Sequence, residues 1–169
     1  MFHHEYGLDV VALRYFTAYG PRCRPEVAMH KFAHLMVNGV PIPVFGEGRM
    51  ERDFTYIDDI VAGTRSAIAY VTSRSPAFEI FNLAGGRVVT LDHMIATLED
   101  ALGVPATRKL LPMQPGDIRR ASGDIAKAGE HLGYDPQVAI ETGIGRFVAW
   151  YRDAILTLPP ERRAAVLAR

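Results

Sequence analysis

The 169-residue sequence predicts an α/β protein with a parallel sheet, on three observations. Two runs, "DVVALRYF" (9–16) and "FEIFNLAGG" (78–86), are nearly continuous in Val, Ile, Leu and aromatic residues, the composition of strands buried on both faces. Segments with apolar residues at helical spacing follow each of them. The third observation is a shortage: a buried parallel strand needs partners on both edges, and only about two such strands are present. The chain therefore reads as the back half of a larger α/β protein.

The elements follow in order. "MFHHEY" reads as the last turns of a helix stopped by Gly7 and feeding the first buried strand. A helix is expected from Pro25 to Asn38, with Met29, Phe32, Ala33, Met36 and Val37 on one face and Gly39 as its stop. "PIPVF" (41–45) is extended, but two prolines confine it to a sheet edge or a binding segment. "DFTYI" reads as a strand, Asp58 as the N-cap of a helix carrying Ile60, Thr64, Ala67, Ile68 and Val71. Thr90 is expected to cap a helix bearing Leu91, Met94, Ile95, Leu98 and Leu102, ended by Gly103 and Pro105. "RKLLPM" is a short strand, and Asp124 caps a short helix. A last helix runs from about Ile140 to Ile155. Residues 1–157 are expected to form one structural part, and 158–169 a loose tail.

Composition excludes several classes. Apolar residues make up 49% and charged residues 22%, as in a globular protein rather than a disordered one. Nineteen acids balance nineteen bases, so no bulk field attracts nucleic acid or an anionic membrane. One cysteine, Cys23, allows no internal disulfide, and neither a membrane span nor a signal peptide is visible. The expected location is the cytoplasm.

The chemistry-bearing motifs are mostly missing. No G-x-G-x-x-G, P-loop or G-x-S-x-G occurs, and no tyrosine has a lysine four residues later. Gly85 and Gly86 read as a turn. Cys23 lies between two arginines, which favours a thiolate, yet without a partner base it reads as a plain small residue. Glu26, His30 and His34, spaced by four, read as a solvated helix face rather than a metal site. What remains is arginine. Arg22, Arg24, Arg49, Arg52, Arg119 and Arg120 sit in turn-rich segments, and the planar guanidinium fork suits phosphate and carboxylate. Some of them are expected to meet at one anionic ligand.

"LRYFTAYGPRCRPEVAMHKF", "PIPVFGEGRMERDFTYIDDIVAG", "FNLAGG" and "MQPGDI", in that order, resemble the C-terminal part of extended short-chain dehydrogenase/reductases, the NAD-dependent nucleotide-sugar epimerases and dehydratases. "YGPRCRPEVA" and "QPGD" are most similar to UDP-glucuronate 4-epimerases, whose usual form is Y-G-P-R-G-R-P-D-M-A. Cys23 departs at a glycine position, Glu26 and Val27 at Asp and Met, and Ala121 and Gly123 at Thr and Ala.

The resemblance implies a Rossmann-like parallel sheet with a small α/β substrate-binding subdomain. It implies C4 inversion of a UDP-sugar through a 4-keto intermediate, with NAD held mainly by an N-terminal part that this chain lacks. No catalytic or metal-binding residue is carried over. The backbone of Val44 and Phe45 would lie along the uracil, Arg52 would reach the diphosphate, and Asp117 the ribose. Thr17 and Arg24 would sit near the hexose, Arg24 taking the sugar carboxylate; Tyr15 and Phe16 would border the nicotinamide. Full-length relatives are expected to be homodimers. The competing readings are a dehydratase or UDP-glucuronate decarboxylase of the same family, and a non-catalytic remnant that binds a nucleotide sugar or a partner protein.

Overall fold

The structure is a computed structural model and describes residues 2–159 and 161–163. The strands are β1 (Val10–Tyr15), β2 (Thr17–Tyr19), β3 (Ile42–Phe45), β4 (Glu51–Tyr56), β5 (Phe78–Leu83), β6 (Val88–Thr90), β7 (Arg108–Leu111) and β8 (Arg120–Ala121). The helices are α1 (Phe2–Tyr6), α2 (Ala28–Val37), α3 (Ile57–Ser73), α4 (Leu91–Leu102), α5 (Ala126–Leu132) and α6 (Ile140–Tyr151), which a π-helical turn prolongs to Leu156. The chain divides into two compact units, neither continuous in sequence. The first takes residues up to 18, 53–87 and 122–138; the second takes 19–52, 88–121 and those from 139 on.

In the first unit β1 and β5 pair in parallel, Val10 opposite Phe78 through Tyr15 opposite Leu83. Side chains alternate across a strand, so Phe81 and Leu83 point to one face. There they pack with Ile60 of α3, Ala128 of α5 and Tyr134, with Val11 and Leu13 of β1 alongside. The opposite face is open: Phe78 is 56% and Ile80 45% exposed, although the His3 ring stacks on Phe78. The expectation of two strands buried on both faces is thus met on one face only, since no second layer covers the other among the described residues.

In the second unit β3 and β7 pair in parallel, Ile42 opposite Arg108 through Phe45 opposite Leu111. Ile42 and Val44 are fully buried. The core lies among α2, α4 and α6, whose apolar stripes at three- and four-residue spacing meet: Met29, Phe32 and Met36; Met94, Leu98 and Leu102; Ile144, Phe147 and Val148. Local signals fix the ends of α4 as expected. Thr90 Oγ1 accepts the His93 N–H at 3.1 Å, and Gly103 closes the helix in the left-handed region.

Several expectations need correction. Helix α2 starts at Ala28 rather than Pro25, because Arg24–Val27 form a turn in which the Val27 N–H donates to the Arg24 carbonyl. Helix α3 starts at Ile57 with Tyr56 at its cap position, so Asp58 falls inside the first turn. Ile68 faces outward, 58% exposed, and the buried stripe of α3 is Ile60, Gly63 and Ala67. The loose tail expected from 158 onward lies largely outside the described residues.

Candidate functional site

A cleft of about 560 Å³ opens in the second unit, lined by Gly46, Glu47, Arg49, Met50, Leu110, Leu111, Pro112, Met113 and Arg119. Its position follows from topology. Strands β3 and β7 run in parallel and end at Phe45 and Leu111, and the cleft is walled by the residues just after those ends. The carboxyl ends of parallel strands are where α/β proteins hold ligands, and the volume suits a small organic molecule. Gly46–Gly48 form a tight 3₁₀ turn in which Glu47 has φ 58°, and the exposed Arg49 guanidinium pairs with the Glu47 carboxylate. Two arginines and an apolar wall of Met50, Leu111, Pro112 and Met113 therefore share one hollow. It can hold an anion beside a flat ring.

Next to this wall lies a second construction. Arg52 Nη2 donates to Asp117 Oδ1 at 2.7 Å, while Nη1 donates to the carbonyls of Glu51 and Ile118, each at 2.9 Å. Asp117 Oδ1 also accepts the Ile118 N–H at 2.9 Å. Both side chains are about three-quarters buried, at 23% and 27% exposure, so the pair is shielded and geometrically fixed. Below it β4 and β8 pair in parallel, Arg52 opposite Ala121, which ties the 112–119 segment to the strand carrying Arg52.

Of the residues singled out in the sequence, Arg52 and Asp117 are brought together, and Phe45 abuts the turn that opens the cleft. Val44 has its side chain in the core, leaving only its backbone for a ligand. Arg49 and Arg119, two of the loop arginines, meet in the cleft, while Arg120 reaches Glu51 at 3.4 Å. Arg24 is exposed in the same unit. Arg22 rather than Cys23 takes the left-handed conformation, at φ 64°, so Cys23 needs no glycine geometry. Burial pushes the Cys23 thiol up, against a reactive thiolate. In the first unit, Thr64 Oγ1 donates to the Ile60 carbonyl, so the Tyr15 hydroxyl donates to Thr64 Oγ1 at 3.1 Å. Phe16 lies over Gly123, and Thr17 is half-buried at the start of β2.

His30 is not on a solvated face. It is 2% exposed, boxed by the rings of Phe147, Trp150 and Tyr151, with burial pulling its pKa down. No group of three His, Cys, Asp or Glu able to hold a metal occurs among the described residues.

Two buried acids escaped the sequence reading. Asp53, 1% exposed, accepts the Gly85 N–H at 2.6 Å and the Gly123 N–H at 3.2 Å. Only glycine fits at either donor: a Cβ on Gly85 would strike the Phe54 carbonyl, and one on Gly123 would strike Ala84. Asp59 accepts the N–H groups of Gln137 and Val138, both at 3.1 Å. Adjacency to Arg52 on an alternating strand was the available signal for Asp53. If Arg52 turns outward, its neighbour turns in.

The sequence profile of the NAD dependent epimerase/dehydratase family matches residues 1–84. The chain belongs to that family. This epimerase/dehydratase chain is 39% identical over 156 residues to a UDP-glucuronate 4-epimerase of Thermodesulfobacterium geofontis, covering 91% of the chain and 46% of the relative. It resembles the crystal structure of the Bacillus cereus UDP-glucuronic acid 4-epimerase in complex with UDP-glucuronic acid and NAD, at TM-score 0.83 and 35% identity, over 90% of the chain and 48% of the other. It also resembles a dTDP-glucose 4,6-dehydratase of Streptomyces venezuelae with NAD bound, at TM-score 0.80 and 33% identity, over 94% and 48%. The chain spans about half the length of the curated relatives it matches. The mixed α/β fold with parallel strand pairs is the fold of these epimerase structures. No described helix is long and apolar enough to cross a membrane.

The family uses NAD. The sequence carries no G-x-G-x-x-G, and in the Gly85–Gly86 turn the backbone N–H of Gly85 donates to Asp53.

Proposed function

We propose that residues 1–157 are the nucleotide-sugar-binding part of an NAD-dependent C4 epimerase acting on UDP-glucuronate. The supporting observation is the Arg52–Asp117 pair beside a cleft that carries Arg49 and Arg119 at the carboxyl ends of two parallel strands. In this reading the backbone of Val44 and Phe45 borders the uracil, Arg52 neutralises the diphosphate, and Asp117 accepts from the ribose while holding Arg52 in place. Thr17 and Arg24 meet the hexose, with Arg24 taking the C6 carboxylate by its planar fork, and Tyr15 and Phe16 border the nicotinamide. This chain supplies binding and orientation. The hydride chemistry of NAD and its acid–base partner belong to residues outside it, and the complete enzyme is proposed to be a homodimer.

The likeness to the dTDP-glucose 4,6-dehydratase keeps a lyase of the same family as the second reading. Two measurements test the proposal. By titration calorimetry the 169-residue chain should bind UDP, lose that affinity in Arg52→Ala, and neither bind NAD tightly nor turn over UDP-glucuronate. Joined to an NAD-binding half of the family, it should yield the C4 epimer of UDP-glucuronate; a 4-keto-6-deoxy product would favour the dehydratase. Equal UDP binding by wild type and Arg52→Ala would remove the diphosphate assignment.

A further inference from the structure

The turn that carries Arg24 has an anchor of its own. Gly20–Arg24 close on themselves, the Cys23 N–H donating to the Gly20 carbonyl at 3.1 Å, and the Val27 N–H then donates to the Arg24 carbonyl at 3.1 Å. Both are local bonds in a partly exposed loop, of a kind that opens easily. A bond also reaches the loop from the core: His30 Nδ1 lies 3.0 Å from the Cys23 carbonyl oxygen. A carbonyl only accepts, so Nδ1 carries the proton and the imidazole is the Nδ1–H tautomer. The ring cannot swing away. It is 2% exposed, and the rings of Phe147, Trp150 and Tyr151 stand 5.6–5.8 Å from it. An apolar ring would fill that box as well; what the histidine adds is a donor aimed at the Cys23 carbonyl.

We propose that His30 is a positioning residue: by donating Nδ1–H to the Cys23 carbonyl it fixes the turn that presents Arg24 to the carboxylate of the uronosyl group. The inference rests on the reading of Arg24 as the uronate-binding arginine. The anchoring itself is a property of the chain and is measurable without substrate. Burial of the ring makes the donor effective, because a hydrogen bond shielded from water has no competitor for the carbonyl.

Two substitutions separate the donor from the packing. His30→Phe keeps an aromatic ring and removes the donor; His30→Asn removes the ring, while its amide Nδ2 occupies the place of Nδ1. Amide hydrogen exchange is read at Cys23 and Val27, relative to Phe147 and Val148 of α6, so that a general loss of stability cancels. His30→Phe should speed the relative exchange about tenfold or more, and His30→Asn should leave it within about threefold of wild type. A purely structural histidine would give the reverse order. No change in His30→Phe overturns the proposal. So does an imidazole ¹⁵N spectrum of the wild-type chain that places the His30 proton on Nε2, a measurement that needs no variant to fold. The preference for UDP-glucuronate over UDP-glucose in binding is then measured for wild type, His30→Phe and Arg24→Met. Loss of that preference in both variants supports the proposal. Loss in Arg24→Met alone overturns the role of His30 in selectivity. If Arg24→Met keeps the preference, the uronate reading of Arg24 fails, while the exchange data still decide whether His30 anchors the turn.

Discussion

Two of the parallel strand pairs, β3–β7 and β1–β5, meet solvent in opposite ways. In β3–β7 the strand β3 is sealed, with Ile42 and Val44 at zero exposure, and the carboxyl ends open onto a cleft with charged and apolar walls. In β1–β5 one face packs on α3 and α5, while Phe78 and Ile80 stand half in water on the other. Parallel sheets in α/β proteins are normally covered on both faces. The difference separates what each unit contributes: the second closes a core beside its own cleft, and the first offers half of a sandwich whose filling is complete on one side.

The comparison predicts unequal costs. Phe147→Ala, in the closed core of the second unit, should lower unfolding stability by about 3–5 kcal/mol. Urea titration reads it, and a loss under about 1 kcal/mol would mean that this core is not closed. In the first unit the buried acid should be the sensitive point. Asp53→Ala orphans the Gly85 and Gly123 amides, at about 1–3 kcal/mol each.

Asp53 also carries a pH signature. Burial raises its pKa above the ordinary aspartate value of 3.8, with the N–H groups of Gly123, Gly85 and Gly86 pulling down. The folded chain therefore holds this proton more tightly than the unfolded one. Its contribution is fully present below pH 3.8, declines as pH rises through the higher folded value, and is flat beyond. Subtracting the Asp53→Asn stability curve from wild type should isolate that decline; a difference that rises with pH would reverse the assignment.

On the ligand side, Arg52→Ala should weaken UDP binding by about 1.5–3 kcal/mol, the range for hydrogen bonds to a charged group. Asp117→Asn should cost less, since one acceptor remains. The smallest effect belongs to the open face. Ile80→Thr should shift stability by less than about 0.5 kcal/mol while reducing concentration-dependent association in sedimentation, because an exposed apolar patch is removed. A large stability loss would show that this face is covered after all.

Local grammar made much of this fold legible. Thr90 and Gly103 mark the ends of α4 because a hydroxyl cap and a left-handed glycine act within a few residues of themselves, and strands β1 and β5 are legible from their composition. What failed depends on partners far along the chain. Periodicity places His30 on a polar face, but its box comes from α6, more than a hundred residues on. Asp58 looks like a cap, and the neighbouring Asp59 proves to be the buried acceptor because Gln137 and Val138 arrive beside it. In the candidate site, the arginines were legible as a class. Which of them share a hollow was not, since Arg49 and Arg119 meet only after β7 lies beside β3.

The discontinuity of the two units has a consequence for biogenesis. The chain passes from one unit to the other after residues 18, 52, 87, 121 and 138. A ribosome therefore releases no finished unit early: the first waits for residue 138, by which time most of the second has also emerged. Long-range closure of this kind slows folding and prolongs exposure of apolar strands. It also means that no single proteolytic nick, and no single split of the gene, can excise either unit intact.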